Sequence, residues 1–380
     1  MSVIVIGGGI VGASAAYHLV RRGVATTLVD AARPGQATAA GAGIVFPWPF
    51  PWEPPQHQAF ALRAAAHYPA LMSALEAEGR ATGYRKVGGL SVGTDPRILD
   101  RDAQVLTDLR GLPGYEGLGR VLRLERGGPR ELFPALPEHF EGVHVEGMAR
   151  VNGAMVRDAL FAAAEERGLR YLKGEAELVA DGGRASGVRA AGEELTADAV
   201  VVAAGAWTAE LLRPFGVDVP VYPVRGQIVH TALPGAHTRD WPVLRFPGTD
   251  RYMLGMPPDR VVLSGTREPW AGFDHRATVD GVLQGLSEAV SAVPALGEAT
   301  VVETRVGFRP GSRDDLQLLG AVGALAGVVV ATGLGANGLT FGPYQGAVAA
   351  TLAVGEEPEA DLSAFRPDRV APDPEAGAAG

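Results

Sequence analysis

The segment from Met1 to Asp30 constrains the fold of this chain more than any other part of the sequence. The apolar run 3–6 leads into the glycine-rich turn 7–12, which an alanine-rich helical stretch follows. A second apolar run, 26–29, then ends on Asp30. This order of strand, turn, helix and strand is that of a dinucleotide-binding βαβ unit.

The glycines of the turn have distinct uses in such a unit. Gly7 permits the tight turn, Gly9 lets the backbone come close to a pyrophosphate, and Gly12 lets the helix pack on the strand. The N-terminus of the helix then offers free N–H groups and a positive dipole end to the phosphates. Asp30 would accept hydrogen bonds from a ribose diol. The sequence therefore predicts a dinucleotide site at the start of the chain.

Composition excludes several classes of protein. The chain has 380 residues, of which 47% are hydrophobic, so it is long enough for two domains or one large interrupted domain. Its formal net charge of -9, with the basic residues scattered, argues against nucleic-acid binding. Because the chain has no cysteine, it has no disulfide, no thiolate nucleophile and no cysteine-based metal site.

The start of the chain also bears on localisation. The first strand begins so close to Met1 that we expect no cleaved signal peptide. No apolar run reaches the roughly eighteen residues that a membrane span needs. We therefore expect a cytoplasmic protein without an integral membrane segment. The sequence does not decide between a monomer and a homo-oligomer.

Dinucleotide-like α/β segments recur later in the chain. Residues 199–207 form an apolar run that ends in a glycine turn, which predicts a buried parallel strand. Residues 327–332 predict another strand, 333–338 a glycine-rich loop and 340–354 a helix. Because a nicotinamide dehydrogenase usually has one contiguous nucleotide domain, this interleaving with β-rich segments favours a flavoprotein.

The predicted fold class is α/β, with a Rossmann-like cofactor-binding domain interleaved with an inserted α+β domain, β-rich, that binds the substrate. The first, discontinuous domain is predicted to comprise residues 1–85, 146–220 and 305–369. The second is predicted to comprise residues 86–145 and 221–304. The Pro- and Ala-rich tail, 370–380, is predicted to be disordered.

The remaining segments give coarser predictions. Further helices are predicted at 58–78, 96–109, 152–167 and 277–292. Asn152 is predicted to cap its helix, and 31–42 is predicted to be a loop. The run 46–52, rich in aromatic residues and proline, suits neither a helix nor a central strand. It either walls an apolar pocket or packs on the core.

Five segments in order resemble the D-amino acid oxidase family of flavoproteins, which includes glycine oxidase and D-amino acid dehydrogenase. The segments are 5–12, 200–207, 224–227, 307–311 with Asp314, and 331–338 with Pro343. They spread over nearly the whole chain, and the late Gly-Phe-Arg-Pro-Gly followed by Ala-Thr-Gly is their most specific part. By this resemblance the first domain binds FAD, and without a cysteine the FAD would be held non-covalently.

The resemblance implies cofactor-binding residues along the whole chain. Those in the first glycine turn, at the ribose acid and in the following loop are Gly7, Gly9, Ile10, Val11, Gly12, Asp30, Ala31, Arg33, Thr38, Ala39, Ala40, Gly41, Gly43 and Ile44. Those further along are Glu177, Ala204, Gly205, Trp207, Gly226, Arg309, Gly333, Gly335, Ala336, Asn337, Gly338, Leu339 and Thr340. The match near Glu177 is loose, so Glu177 is equally well interpreted as a cofactor-binding residue or as an exposed acid on a strand.

Two residues are implied to bind the substrate. Arg309 resembles the carboxylate clamp of the family, and a planar guanidinium holds a carboxylate with two parallel charge-assisted hydrogen bonds. Tyr252 matches a carboxylate-binding tyrosine of glycine oxidase, the alternative being a strand tyrosine packed on the core. The loop 333–338 and its helix would stabilise negative charge on reduced flavin. Many relatives have a histidine where this chain has Leu334.

The implied function is FAD-dependent oxidative deamination of a small amino acid: glycine, a D-amino acid or an N-methyl amino acid. A hydride passes from the substrate Cα to flavin N5, the imino acid hydrolyses, and O₂ or a quinone accepts the electrons. The protein would mainly orient this small carboxylated amine, so no general base is assigned. The scattered histidines lack metal-ligand spacing, and we expect no metal site.

Three other functions stay open from the sequence. One is an FAD-dependent 2-hydroxy acid or polyol-phosphate dehydrogenase of the same superfamily, because Arg309 would hold those anionic substrates too. Another is a non-catalytic FAD-binding subunit of a hetero-oligomeric amine dehydrogenase. The third and weakest is a nicotinamide-dependent enzyme.

Overall fold

The structure is a computed structural model that describes residues 1–369, which form nine α-helices and twenty β-strands. The predicted disordered tail, 370–380, lies outside the described residues. The helices are α1 (Ile10–Arg21), α2 (Ala37–Ala40), α3 (Pro55–Ala77), α4 (Pro96–Arg110), α5 (Pro129–Leu132), α6 (Gly153–Glu165), α7 (Thr208–Leu212), α8 (Val279–Ala292) and α9 (Gly338–Ala353). The strands are β1 (Ser2–Ile6), β2 (Ala25–Asp30), β3 (Ile44–Val45), β4 (Arg85–Lys86), β5 (Gly89–Gly93), β6 (Val121–Leu124), β7 (Glu141–Val145), β8 (Ala149–Arg150), β9 (Arg170–Lys173), β10 (Ala176–Asp181), β11 (Arg184–Ala190), β12 (Glu193–Thr196), β13 (Ala199–Val202), β14 (Val221–Ala232), β15 (Val243–Arg245), β16 (Tyr252–Met256), β17 (Arg260–Leu263), β18 (Thr300–Ser312), β19 (Leu318–Ala321) and β20 (Val328–Thr332).

The N-terminal βαβ unit lies at the centre of a six-stranded sheet with the order β19-β20-β13-β1-β2-β9. β1 is parallel to both of its neighbours, so Val5 lies beside Leu28 and Val201. β19 alone joins this sheet in the antiparallel sense, at one edge. β13 and β20 are buried along their whole length, which explains their unbroken apolar sequences. The predicted Rossmann-like fold is confirmed.

A second, eight-stranded sheet has the order β18-β14-β17-β16-β15-β5-β7-β6. Its two longest strands, β14 and β18, are antiparallel and set Val224 opposite Arg309 and Gly226 opposite Gly307. Two motifs that are far apart in the sequence therefore lie side by side. β18 also runs across the predicted domain boundary at residue 305. Two three-stranded sheets, β10-β11-β12 and β3-β8-β4, complete the sheets of the described residues.

The longer helices agree with the sequence predictions. The predicted helices at 58–78, 96–109, 152–167, 277–292 and 340–354 are confirmed as α3, α4, α6, α8 and α9, with ends displaced by at most three residues. Asn152 caps α6 as predicted, because its Oδ1 accepts the N–H of Met155 at 3.2 Å. No helix or strand forms within 46–52, again as predicted.

The prediction of an unbroken loop at 31–42 is wrong, because α2 lies within it. Three of the four residues of α2 are alanine, the strongest helix former. A helix this short does not persist on propensity alone. Thr38 supplies the missing contact, since its Oγ1 accepts the N–H of Ile10 at 2.9 Å and ties α2 to the start of α1.

Helices α1 and α9 pack unusually closely. Gly346 faces α1, and a Cβ added to it would lie 2.6 Å from the Cβ of Ser14 and also meet the carbonyl of Val11. A Cβ on Gly342 would lie 2.7 Å from a methyl group of Ile10. The Ser14 hydroxyl donates to the Pro343 carbonyl at 2.6 Å across the same contact. The two backbones can approach this closely only because α9 carries glycine at these positions.

The substitution Gly346→Ala is expected to destabilise the protein through this contact. Gly285→Ala in α8 is the matched control, because its added methyl group meets only ordinary contacts, the nearest at 3.5 Å. Both variants gain the same intrinsic helix propensity, so their difference reports the clash, which we expect to be about 1–3 kcal/mol. Urea unfolding of both variants measures it. Equal stabilities would contradict the close packing of α1 on α9.

Candidate active site

A cavity of about 570 Å³ lies at the carboxyl ends of β1, β2, β13 and β20, where α/β sheets bind their ligands. Residues of β14, β16 and β18 line it from the side of the second sheet. The predicted site residues that line it are Gly7, Gly9, Ile10, Val11, Asp30, Ala31, Arg33, Thr38, Gly41, Gly43, Ile44, Ala204, Gly205, Trp207, Tyr252, Arg309, Gly335, Ala336, Asn337, Gly338, Leu339 and Thr340. One cavity thus brings together the predicted cofactor and substrate residues.

The first glycine turn forms one end of this cavity. Gly7 has a φ of +105°, and a Cβ there would lie 2.7 Å from the carbonyl carbon of Ala203. Gly8, which the sequence reasoning missed, lies against Asp30, whose Oδ2 would be 2.5 Å from an added Cβ. Gly9 precedes α1 without a side-chain cap, and the first turn of α1 carries no acid. This helix N-terminus therefore suits an anionic group such as a phosphate.

A second helix N-terminus lines the same cavity. Gly335–Asn337 form a single 3₁₀ turn that leads into α9, which begins without a side-chain cap and without an acid in its first turn. Leu334 is buried and lines the cavity, so no imidazole stands at this point of the loop. Backbone N–H groups and the dipole of α9 are therefore the features that would stabilise negative charge beside this loop.

The shape of the cavity fits the FAD that the sequence resemblance implies. A Cβ added to Gly205, Gly335 or Gly338 would meet no protein atom within 4 Å, although all three line the cavity. Protein therefore leaves open space beside these glycines. Two uncapped helix N-termini for anionic groups, a carboxylate at Asp30 and this open space match the parts of a flavin dinucleotide.

The acid and the arginine predicted beside the cofactor have protein partners. Asp30 accepts weakly from the side-chain amide of Gln36, at 3.2 and 3.3 Å. The Arg33 guanidinium is 2.7 Å from Glu175 and 3.7 Å from Glu210. Its charge is thus balanced by two carboxylates at the rim of the cavity.

Six predicted cofactor residues do not line the cavity: Gly12, Ala39, Ala40, Glu177, Gly226 and Gly333. Gly12 packs against the carbonyl of Gly7, which is the helix-packing use expected of it. Glu177 is exposed and lies 3.6 Å from Arg189, whereas Glu175 and Ala176 line the cavity in its place. The loose match at Glu177 is thus displaced from the cavity by up to two residues, because the surrounding strand has no motif to set its register.

The aromatic run 46–52 was predicted either to wall a pocket or to pack on the core, and its residues do both. Phe46 lines the cavity, whereas Trp48 is buried in a separate cluster with Leu99 and Leu106. Ile228 lies on β14 two residues after Gly226 and also lines the cavity. Because side chains two residues apart in a strand share a face, the predicted site residue Gly226 could have led to Ile228. Glu175 and Glu210 reach the cavity through tertiary packing, for which the sequence carries no comparable signal.

Arg309 and Tyr252 lie at the other end of the cavity. The Arg309 guanidinium donates to the Thr266 carbonyl at 2.8 Å. It lies against two glycines, since a Cβ would come within 2.6 Å of its Cζ from Gly226 and 3.0 Å of its Nη2 from Gly265. Among the ion pairs of residues 1–369, none neutralises Arg309 with a carboxylate. This cavity therefore contains a shielded cation with donors left for a ligand.

Tyr252 complements this cation. Burial raises the pKa of the Tyr252 phenol, although Arg309 opposes the shift, so the group is neutral at ordinary pH. The Gly265 N–H donates to the phenol oxygen at 3.3 Å, which leaves the phenol hydrogen free to donate to a ligand. Burial lowers the pKa of Arg309, but a guanidinium still keeps its charge. The pair can bind a carboxylate through a charge and a neutral donor.

Residues 1–369 contain no cluster of three or more histidine or acidic side chains placed to hold a metal ion. None of their helices is both long enough and apolar enough to cross a membrane.

Comparison with known proteins agrees with this geometry. The family model described as FAD dependent oxidoreductase (DAO) matches residues 2–352. An uncharacterised oxidoreductase, YurR, of Bacillus subtilis strain 168 is 41% identical over 368 residues, covering 96% of this chain and 98% of that protein.

Two solved structures share the fold along nearly their full length. Iminodiacetate oxidase from Chelativorans sp. BNC1 is 38% identical with a TM-score of 0.91, covering 96% of this chain and 98% of that one. Glycine oxidase from Geobacillus kaustophilus is 27% identical with a TM-score of 0.84, covering 97% of this chain and 99% of that one.

The cofactor end of the cavity can be tested with Asp30→Asn. We expect FAD to bind about ten- to a hundredfold more weakly, because hydrogen bonds to a charged acceptor contribute about 1.5–3 kcal/mol. Titration of the apoprotein with FAD, followed by flavin fluorescence, measures the Kd. Glu177→Gln, which removes an exposed acid outside the cavity, is the control and should leave the Kd unchanged. Unaltered binding by Asp30→Asn would remove the ribose role from Asp30.

Proposed function

The chain belongs to the DAO family of FAD-dependent oxidoreductases, and on that premise we propose that it oxidises a small amino acid at its carbon–nitrogen bond. The observation that carries this proposal is Arg309, a cation without a carboxylate partner among the described residues, in the cavity that the cofactor loops line. A carboxylated amine supplies the missing anion. Its reacting carbon then lies on the side of the cavity that faces the cofactor loops.

The work of this chain is to bind and orient that substrate. Arg309 holds the carboxylate through charge-assisted hydrogen bonds, and the Tyr252 phenol adds a neutral donor. FAD, when bound, would supply the hydride acceptor, and O₂ or a quinone would serve as the final electron acceptor. The start of α9 would stabilise negative charge on a cofactor bound beside it. Ile44, Phe46 and Ile228 form an apolar wall that keeps water from this end of the cavity.

Two relatives support the substrate class through their names. One is named an iminodiacetate oxidase and the other a glycine oxidase. Both compounds contain a glycine unit, with a carboxylate one carbon away from an amine nitrogen. We therefore propose glycine and N-substituted glycines as the first substrates to examine, followed by D-amino acids.

Anaerobic reduction of the flavin tests the proposal most directly. The holoenzyme is mixed with glycine, sarcosine, iminodiacetate, D- and L-alanine, proline and glycolate, and the loss of yellow colour is followed before and after air is admitted. At least one amine should bleach the flavin, and glycolate should not. Bleaching by glycolate alone would favour a 2-hydroxy acid dehydrogenase, and no bleaching by any compound would favour a non-catalytic subunit.

Arg309→Ala should raise the KM for the amino acid without loss of bound FAD. Truncating one partner of a buried charge pair costs about 2–4 kcal/mol, which corresponds to roughly a thirty- to a thousandfold rise. Steady-state kinetics and the flavin absorbance of the purified protein measure the two quantities. Arg260→Ala removes a half-buried arginine of β17 in the same sheet that does not line the cavity, and it serves as the control. An unchanged KM would contradict the carboxylate clamp.

Tyr252→Phe keeps the ring but removes the phenol hydrogen. We expect the KM to rise about fivefold, because one hydrogen bond contributes about 1 kcal/mol. The effect should shrink in the Arg309→Ala background, since both groups bind the same carboxylate. A KM equal to that of the unsubstituted enzyme would assign Tyr252 to the packing of the strand.

A further inference from the structure

The short segment 265–266 forms hydrogen bonds to both residues of the proposed carboxylate site, Arg309 and Tyr252. The Thr266 carbonyl accepts from Arg309 at 2.8 Å, and the neighbouring Gly265 N–H donates to the Tyr252 oxygen at 3.3 Å. The segment follows β17 and belongs to no helix or strand. Whatever holds residues 265–266 in place therefore sets the direction of both side chains.

Backbone bonds attach this segment to β14. The N–H of Thr266 donates to Gln227 at 3.2 Å, and Arg225 and Glu268 exchange N–H to carbonyl bonds of 3.2 and 3.0 Å. The Thr266 hydroxyl also accepts the N–H of Gln227 at 3.0 Å. Along β14, Arg225 and Gln227 alternate with Gly226, so their side chains leave the strand on the face away from Arg309.

The side chains behind the site converge on Glu268. Its carboxylate accepts from Arg225 at 2.9 and 2.5 Å, from the Gln227 amide at 2.7 Å and from the Thr266 hydroxyl at 2.5 Å. The side chains of Arg225 and Glu268 are only 8% and 12% exposed, so the buried charge of Glu268 depends on Arg225. Burial opposes the charge of Glu268, but these hydrogen bonds outweigh it and lower the pKa of this carboxyl.

Two further contacts join the side chains around Glu268 to Asp274 and to the start of α8. Arg225 lies 2.9 Å from the carboxylate of Asp274. The Gln227 amide exchanges hydrogen bonds of 2.9 and 2.7 Å with Thr278, the N-cap of α8. The group therefore joins β14, the 265–268 segment and the start of α8 into one unit, and no member of it reaches the cavity.

We propose that Glu268 is a positioning residue for the substrate: its ion pair with Arg225 holds the Thr266 carbonyl and the Gly265 N–H where they direct Arg309 and Tyr252 at the carboxylate. The inference rests on the proposed carboxylate site. Fixing one guanidinium nitrogen on Thr266 leaves the others to grip the ligand in a single orientation. Loss of the Glu268 charge leaves the segment with its backbone hydrogen bonds to β14 but without its side-chain anchor, so the segment and the guanidinium bonded to it are held less firmly.

The test uses Glu268→Gln, which keeps the size of the side chain and removes its charge. In the holoenzyme the Kd for acetate, read from the change in flavin absorption, should rise about tenfold, and the KM should rise by the same factor. The kcat and the FAD content should stay close to those of the unsubstituted enzyme. Glu141→Gln is the matched control, because it weakens the Arg123–Glu141 pair of the same sheet, neither residue of which lines the cavity, and it should alter neither constant. An unchanged acetate Kd in Glu268→Gln overturns the proposal.

A double-mutant cycle separates positioning from general support. In an Arg309→Ala background, Glu268→Gln should change the acetate Kd by less than about twofold, because the charged one of the two residues that it positions is gone and only the neutral Tyr252 donor remains. The same tenfold loss in both backgrounds overturns the positioning role. If Arg309→Ala alone leaves the acetate Kd unchanged, the proposed carboxylate site itself fails, which distinguishes the two ideas.

A milder pair of variants serves if Glu268→Gln does not fold. Thr266→Val removes the hydroxyl that joins the segment to Glu268 while leaving the Arg225–Glu268 ion pair and the carbonyl in place. Thr266→Ser retains the hydroxyl. Acetate should bind about three- to fivefold more weakly to the valine variant and normally to the serine variant. Equal affinities in the two variants overturn the proposal.

Discussion

The close contact of α1 with α9 is the constraint on which the cofactor site depends. Both helices begin at the cavity, and each presents an N-terminus without a cap or an acid in its first turn. Their positive ends converge only because Gly342 and Gly346 remove the side chains that would hold the backbones apart. A single anionic ligand can then be stabilised by two helix dipoles at once, with neither lysine of the chain lining the cavity.

The end of the cavity that contains Arg309 depends on a different constraint, the long antiparallel pairing of β14 with β18. This ladder places Gly226 beside the Arg309 guanidinium, in a space that any side chain would fill. The same strand then turns Arg225 and Gln227 to its other face, where they bind Glu268. One short motif on β14 therefore serves both faces of the sheet: it makes room for the arginine and holds the segment that directs it.

The parts of the fold that were predictable are those encoded by neighbouring residues. The βαβ unit, the strand 199–202 and the cap at Asn152 each depend on a local pattern of glycine, apolar or capping residues. The helix α2 and the reach of Glu175 to the cavity depend on contacts between distant segments, which no local pattern records. For the same reason the motif around Gly226 was recognisable from the sequence, but Glu268 was not. Glu268 binds this motif through Gln227 from about forty residues further along the chain.

Electrostatics supports Arg309 as the place where the proposed substrate carboxylate would bind. The protein carries a formal charge of -9, so its overall field repels small anions, and attraction must come from a local cation. Arg33 at the rim is neutralised by Glu175 and Glu210, and Arg225 behind the sheet by Glu268 and Asp274. Arg309 donates to a carbonyl and forms no ion pair among the described residues, and the Glu268 carboxylate acts on it only at longer range, so its charge is left for a ligand. Of the two arginines that line the cavity within residues 1–369, Arg33 is paired with carboxylates and Arg309 is not, which is why we assign the substrate carboxylate to Arg309 and the phosphates of FAD to the two helix N-termini.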